Sequence, residues 1–323
     1  MFRHTLSCQQ IAVGCIFMSF VLSSFGQTPI SSELDKLPAQ ELIRRVASAG
    51  HAERVAIVDN LISRRSETLP ALRSTLTSGT IEQKALACNM LSEMRDKESV
   101  ELLIDVTQSP EGRLQYVAIN ALREIGDSRA APRLRDVLKG RNLDEGKKIC
   151  ALIALGRLGA DKDLPQLRGF LNDESAAVRT AAAGAIAMLG SPEAQDVLIQ
   201  MTEAKDPFTQ KLAVKSLGYL DTPESTSRLE AILRDPSASW KNYARISIEQ
   251  QRLRREKSTG ERVRALSRLA ADENTWMAEW AIEQISDMDT QEARQELRRL
   301  SKSNMRHATQ ARRTLSLRGD PAQ

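Results

Sequence analysis

The chain has 323 residues, and 46 Lys and Arg against 42 Asp and Glu leave a formal charge of +4. Aromatic residues supply only 4% of it, while Leu, Ala, Arg and Glu, all good helix formers, dominate. The alternation of β-branched and aromatic residues that marks strands is missing, so a sheet protein is excluded and an all-α protein is expected. The length suits one extended domain or two compact ones.

At the amino terminus, Arg3 and His4 precede the apolar run "IAVGCIFMSFVLSSF" from Ile11 to Phe25, and Ser24 and Gly26 place small residues before Gln27. This is the layout of a signal peptide over residues 1–26, cut before Gln27. The apolar run is short for a membrane span, and an uncleaved anchor is the alternative. Cys15 lacks the Leu three residues back that a lipoprotein cysteine calls for. The expectation is export, to the periplasm or outside the cell, with residues 27–49 as an amino-terminal capping segment and 50–323 as the folded body.

That body repeats. Anchors at Arg64, Arg95, Gly126, Gly159, Gly190, Asp221, Arg252, Ser286 and Gly319 are spaced by 31, 31, 33, 31, 31, 31, 34 and 33 residues. Eight positions before each anchor stands alanine: Ala56, Ala87, Ala118, Ala151, Ala182, Ala213, Ala244, Ala278 and Ala311. Four before each stands Leu or Ile, from Leu91 to Leu315, except at Asn60. Positions −8 and −4 share one helix face, so a small residue admits a neighbouring helix and a branched one fills the space beside it. Gly126, Gly159, Gly190 and Gly319 are expected as left-handed C-caps. Asp96, Asp127, Asp287 and Asp320 suit the turn or the next N-cap.

A second helix follows each turn. Pro70, Pro132 and Pro165 lie six after their anchors, Pro192 and Pro223 two after theirs, and both placements fit a first helical turn. Apolar residues then recur at helical spacing, as in Leu134, Val137 and Leu138 and in Leu229, Ile232 and Leu233. Each unit is a hairpin of two helices that buries its apolar face only against its neighbours, which predicts an α–α superhelix of about eight to nine stacked repeats.

The segment "DESAAVRTAAAGAIAMLGSPEAQDVLIQM", 173–201, carries Asp173, Val178, Arg179, Ala182 and Ile186 in the register of a HEAT repeat. The unit resembles most the short bacterial class called PBS-lyase HEAT-like repeats, over roughly residues 50 to 319. The Arg252 unit departs from the pattern, running through "RLRREKSTGERVR" before its second helix. The last unit lacks room for one, so its first helix should close the array. The resemblance also implies a lesser alternative, a bilin lyase acting on linear tetrapyrroles. An exported chain with 3 His and 3 Tyr fits that poorly.

Signatures of chemistry are missing. No two histidines share a helix, which leaves no zinc pair, and there is no CxxCH, P-loop or GxSxG. No catalytic residue, metal site, cofactor or small-molecule substrate is identified. Cys88 and Cys150 lie two repeats apart, farther than a disulfide reaches, and are expected as separate buried thiols. Trp276 and Trp280 sit one turn apart, with Trp240 a repeat earlier, and are expected to cap the core rather than to form a ligand platform.

Charge is distributed unevenly. Lys241 to Arg318 holds 17 Lys and Arg against 11 Asp and Glu, whereas the chain from Gln27 to Trp240, with its last residues, is mildly acidic. Arg252, Arg254 and Arg255 form one cluster with Lys257; Arg298, Arg299 and Lys302 a second; Arg306, Arg312 and Arg313 a third. Solvated helix faces account for them most simply, with Glu292 and Glu296 as partners. Read functionally, they are a candidate binding surface for a protein partner with an acidic segment, or for an anionic envelope polymer. Nucleic acid fits less well, because aromatic stacking residues are few. The fallback surface is the second helices near Arg129, Arg133 and Gln166. The expected function is a non-catalytic protein–protein interaction scaffold of the bacterial cell envelope, or an accessory subunit of an exported enzyme complex.

Overall fold

The computed structural model describes residues 33–46, 48–140, 143–303 and 308–319. The proposed signal peptide, Arg306 and Asp320 lie outside the described residues. Among those described there are α-helices and short 3-10 turns and no strand. The chain divides into two compact units, 1–86 and 87–323.

The first unit contains α1 (Ala39–Val46), α2 (His51–Ser63) and α3 (Arg65–Ser78). Leu42, Ile43, Ile57, Leu61 and Leu72 form its core, each fully buried. The break in the −4 series at Asn60 has a local cause. Its amide donates to Asp35 at 2.6 Å, and its carbonyl accepts from Arg64 at 3.2 Å. Arg64 also donates to the Leu37 carbonyl, while Glu67 accepts from the Ala39 amide at 2.9 Å. These bonds fasten α1 to the first hairpin. They also hold the Glu67 carboxyl below its ordinary value, through the Ala39 amide first and then Arg64. Pro70 lies inside α3 rather than at its start, because α3 begins directly after Arg64. Later hairpins spend those residues on 3-10 turns at 128–130, 161–163 and 192–194.

Helix α4 (Ile81–Glu93) runs from the first unit into the second. The second unit continues with α5 (Val100–Val106), α6 (Gly112–Ile125), α7 (Ala131–Leu138), α8 (Glu145–Leu158), α9 (Leu164–Arg168) and α10 (Ala176–Met188). There follow α11 (Gln195–Met201), α12 (Pro207–Leu217), α13 (Pro223–Arg234) and α14 (Lys241–Arg255). The last are α15 (Thr259–Leu269), α16 (Thr275–Asp287), α17 (Gln291–Ser301) and α18 (Ala308–Arg318). Even-numbered helices from α4 onward are the first helices of their hairpins, and odd-numbered ones the second.

The alanine column is the core of the stack. Ala87, Ala118, Ala151, Ala182, Ala213, Ala244, Ala278 and Ala311 are completely buried. Successive first helices approach to backbone contact in the middle of the array. A Cβ added at Gly156 of α8 would stand 2.5 Å from the Ala185 Cα of α10, and one at Gly184 of α10 would stand 2.4 Å from Ser216 Oγ of α12. Small side chains on first helices against leucines on second helices make each hairpin a wedge. From α6 to α14 successive first helices pack closely while successive second helices barely touch, which places first helices on the inside of the curve and second helices on the outside. Asp144, Ser175, Asp206 and Asn274 cap four first helices through side-chain bonds to the third amide of each.

Three local expectations are corrected. Gly126, Gly190 and Gly319 are left-handed, but Gly159 is extended (φ −80°, ψ −170°), because its turn is closed by Asp163 accepting from the Ala160 amide at 2.8 Å. Arg95 takes the left-handed conformation at its own anchor (φ 51°). The basic run after Arg252 does not delay the second helix: α14 stops at Arg255, and Ser258 starts α15 through a capping box with Glu261. Leu233, expected on an apolar face, is 39% exposed.

Candidate functional site

The three basic clusters do not merge into one surface. Arg252, Arg254 and Arg255 occupy the last turn of α14. Arg252 pairs with Glu249 at 2.5 Å. Arg254 lies over the Tyr219 ring and donates to the Tyr219 carbonyl at 2.8 Å, and Arg255 grips Asp221 at 2.5 Å. These last two arginines therefore staple α14 to the preceding hairpin. Arg298 and Arg299 close α17, and Lys302 caps it. Arg299 holds Glu296 at 2.6 Å and Ser267 of α15 at 2.9 Å. Arg312 donates to the Ser301 carbonyl at 2.9 Å, which brings it to the end of α17. Exposed Arg298, Arg299, Lys302 and Arg312 thus gather at one edge. Arg313 leaves that group and turns to Glu93, 3.6 Å away. The fallback residues are staples too: Arg129 reaches the Lys97 carbonyl, Arg133 the Thr107 hydroxyl, and Gln166 the Arg135 carbonyl.

Arg313 points into a feature that sequence reasoning missed. The carboxyl ends of first helices from opposite parts of the array meet across the inside of the curve. Asp287 at the end of α16 accepts from Arg95, which follows α4, and from Arg157 of α8 at 3.1 Å. Arg157 also stands 3.8 Å from Glu124 of α6, whose backbone carbonyl accepts from Arg95 at 3.1 Å. Glu93 and Glu283 are solvent-exposed yet crowded by protein; the crowding raises the Glu93 carboxyl, and with the charges of Asp287 and Glu124 it raises that of Glu283. A signal existed in the register: Glu93, Glu124 and Arg157 all stand two residues before their anchors.

Farther toward the amino ends of α12, α14 and α16, the inner face becomes aromatic. The Tyr243 ring lies 5.9 Å from Trp240 and 5.6 Å from Trp276, and Trp276 is 49% exposed. Lys215 Nζ stands 5.6 Å from the Tyr243 centroid and Lys211 Nζ 5.7 Å from that of Phe208. Trp280 packs against the core of α15 to α18, as expected for a capping residue, whereas Trp276 does not. The Trp240 indole donates to Gln210 at 2.7 Å, tying α14 to α12.

Two clefts flank α13. One, of ≈ 460 Å³, is lined by Asp221, Thr226, Glu230 and Arg255, and the other, of ≈ 560 Å³, by Thr202, Gln210, Arg228 and Trp240. Many of their polar groups already serve the staples between hairpins. Cys88 and Cys150 are buried and not joined in a disulfide. Among the described residues no group of three His, Cys, Asp or Glu side chains is placed to hold a metal, and no helix is long and apolar enough to cross a membrane.

Wedge-shaped hairpins stacked on an alanine column define an α-solenoid, a class built for recognition along its length. Residues 69–148 and 169–249 match HEAT repeats. The chain is a HEAT-repeat protein. The complex of CpcE and CpcF of phycocyanin lyase from Nostoc sp. PCC7120 shares the fold, with a TM-score of 0.54 and 21% identity over 77% of this chain and 96% of that one. An engineered protein aligns at TM-score 0.40 with 18% identity, over 91% of this chain and 90% of its own. Human deoxyhypusine hydroxylase in complex with glycerol aligns at 0.33 with 17% identity, over 90% of this chain and 99% of its own. No curated protein matches the sequence.

Proposed function

We propose that this chain is a non-catalytic scaffold of the bacterial cell envelope, exported by its amino-terminal segment, which binds an acidic protein partner through its last hairpins. HEAT repeats are interaction modules, and surface side chains of a solenoid are free of core duty. The observation that carries the reading is the exposed edge where Arg298, Arg299, Lys302 and Arg312 converge at the end of α17. Arg299 is bonded to Glu296, and the grouping of cations along this edge suits an acidic segment.

The test is capture from envelope extract by the wild-type protein and by Arg298→Glu/Arg299→Glu/Arg312→Glu. Strong loss of a specific partner in the triple variant is expected, with circular dichroism unchanged, because exposed substitutions usually cost within about 0.5 kcal/mol. Equal capture by both proteins contradicts the reading. Amino-terminal sequencing of envelope-derived protein should begin at Gln27, and a mass matching the full chain would reject cleavage.

A further inference from the structure

The inside of the curve holds two kinds of charged group. At the carboxyl ends of the first helices, Arg95, Arg157 and Arg313 each face a carboxylate within ion-pair distance. Lys211 and Lys215, one turn apart on α12, do not. Among the described residues each meets an aromatic ring and no carboxylate within 4 Å. Glu283 of α16 and Glu124 of α6 face Lys215 from a longer range, as does Arg123 of α6. Lys215 is exposed to solvent yet crowded by protein on several sides, and this crowding lowers its amine from the ordinary lysine value. The Tyr243 ring that Lys215 meets also meets, edge-on, the exposed indole of Trp276.

We propose that Lys211, Lys215, Tyr243 and Trp276 form a second recognition site, which takes an acidic peptide strand carrying an aromatic side chain. The complementarity is direct. Carboxylates of the strand pair with the two ammonium groups, and its ring packs on Trp276, where aromatic pairs add to the area they bury. First helices rise side by side along this face, so a strand crossing α12, α14 and α16 meets Lys211 and Lys215, then Tyr243, then Trp276. The site deepens the protein-binding reading above and rests on it, but it is separate from the arginine edge.

The probe is a fluorescein-labelled peptide, acetyl-Glu-Phe-Glu-Leu-Glu-Phe-Glu-amide, titrated with the purified protein and followed by anisotropy. Saturable binding is expected at a Kd on the order of micromolar. Lys211→Glu/Lys215→Glu and Trp276→Ala should each weaken it at least about tenfold, close to the 1.4 kcal/mol that such a factor represents. The arginine-edge triple variant should leave it within about twofold, since no contact of the site is touched. Circular dichroism keeps a folding defect from mimicking loss. No saturation overturns the proposal, as does equal affinity for a peptide with Gly in place of Phe. A dimer in sedimentation that Trp276→Ala dissolves would assign the face to a second copy and overturn it as well. Envelope capture that fails in the arginine variant but survives in the lysine variant, with no peptide binding, would sink this site and leave the scaffold reading standing.

Discussion

The middle and the carboxyl-terminal hairpins of the second unit solve the same packing problem with different chemistry. From α8 to α12 glycines let the first helices close on backbone at Ala185 and on a short side chain at Ser216, and one such contact, Gly218 against the Ser247 backbone, continues into α14. Gly156 lies against Ala185, Gly184 against Ser216, and α10 is buried from Ala177 to Ala187 except at Arg179. From α12 to α18 polar side chains take over the joints. Ser247 donates to the Val214 carbonyl at 3.0 Å. Gln251, 2% exposed, donates to the carbonyls of Leu217 and Leu220 and accepts from Thr226. Arg254, Arg255 and Arg299 bridge hairpins from the outside. Close packing tolerates no added atom, whereas polar stapling keeps longer side chains at the surface. The region rich in staples is thus also the region with cations to offer a partner.

The largest expected effect comes from adding volume to the middle. Ala151→Leu forces about three extra carbons into a closed contact and should cost about 1–3 kcal/mol, read as a lower urea midpoint. Gly156→Ala should also destabilise, although alanine favours a helix by about 1 kcal/mol, because its Cβ meets backbone. Gly260→Ala in α15 is the contrast. Its Cβ meets only the end of Arg264 at 3.4 Å, so the propensity gain of up to about 1 kcal/mol should show as stabilisation. Gains in both glycine variants would remove the distinction between the regions.

Gln251→Leu comes next. It removes one donor from each of the Leu217 and Leu220 carbonyls, which keep the Leu220 amide and the Ser225 hydroxyl, and should cost about 0.5–1.5 kcal/mol, whereas a joint held by apolar packing would lose little. A smaller effect is expected at the ion cluster inside the curve. Asp287→Asn should lower stability by about 1 kcal/mol or less, because its partners are partly solvated. The deficit should fade in about 1 M salt, and a deficit that salt leaves unchanged would point to packing instead.

The pH dependence is the finest of these tests. Hydrogen bonds from Arg129, Arg255 and Arg294 hold Asp127, Asp221 and Asp289 below the usual carboxylate range. Their stabilisation is present above about pH 3.9, where unfolded aspartates titrate, and is lost as pH falls through their lower folded values. Glu93 and Glu283, raised by crowding protein although both stay solvent-exposed, act weakly with the opposite sign: the folded chain takes up their protons first, which adds a small gain in stability as pH falls from neutral toward about 4.3. The melting temperature should peak on the acid side of neutral and then drop. A profile that only falls from pH 7 downward would contradict the placement of the two glutamates.

The repeat was legible because one slot must stay small in every unit, and alanine fills it nine times from Ala56 to Ala311. Turn chemistry was legible at Gly126 and not at Gly159, where a carboxylate four residues on closes the turn in place of a left-handed glycine. The burial of Gln251 was not legible in the sequence, because its carbonyl partners lie on the neighbouring hairpin. The meeting of Arg95 with Asp287 escaped for a deeper reason: it spans 192 residues, and that separation depends on the summed curvature of many wedges rather than on any local pattern. The basic clusters could be counted from the chain, but which arginines staple and which gather at an edge depended on neighbours one repeat away.

We propose that recognition belongs to the hairpins from α12 onward and that those before it serve structure. Site-specific photo-crosslinking in cells tests it most directly, with a benzophenone amino acid at Arg299 in one strain and at Arg168, an exposed arginine of α9 paired with Glu193, in another. The account predicts a discrete adduct to an acidic envelope protein from position 299 and none from position 168. The same adduct from both positions, or an adduct from 168 alone, would contradict it.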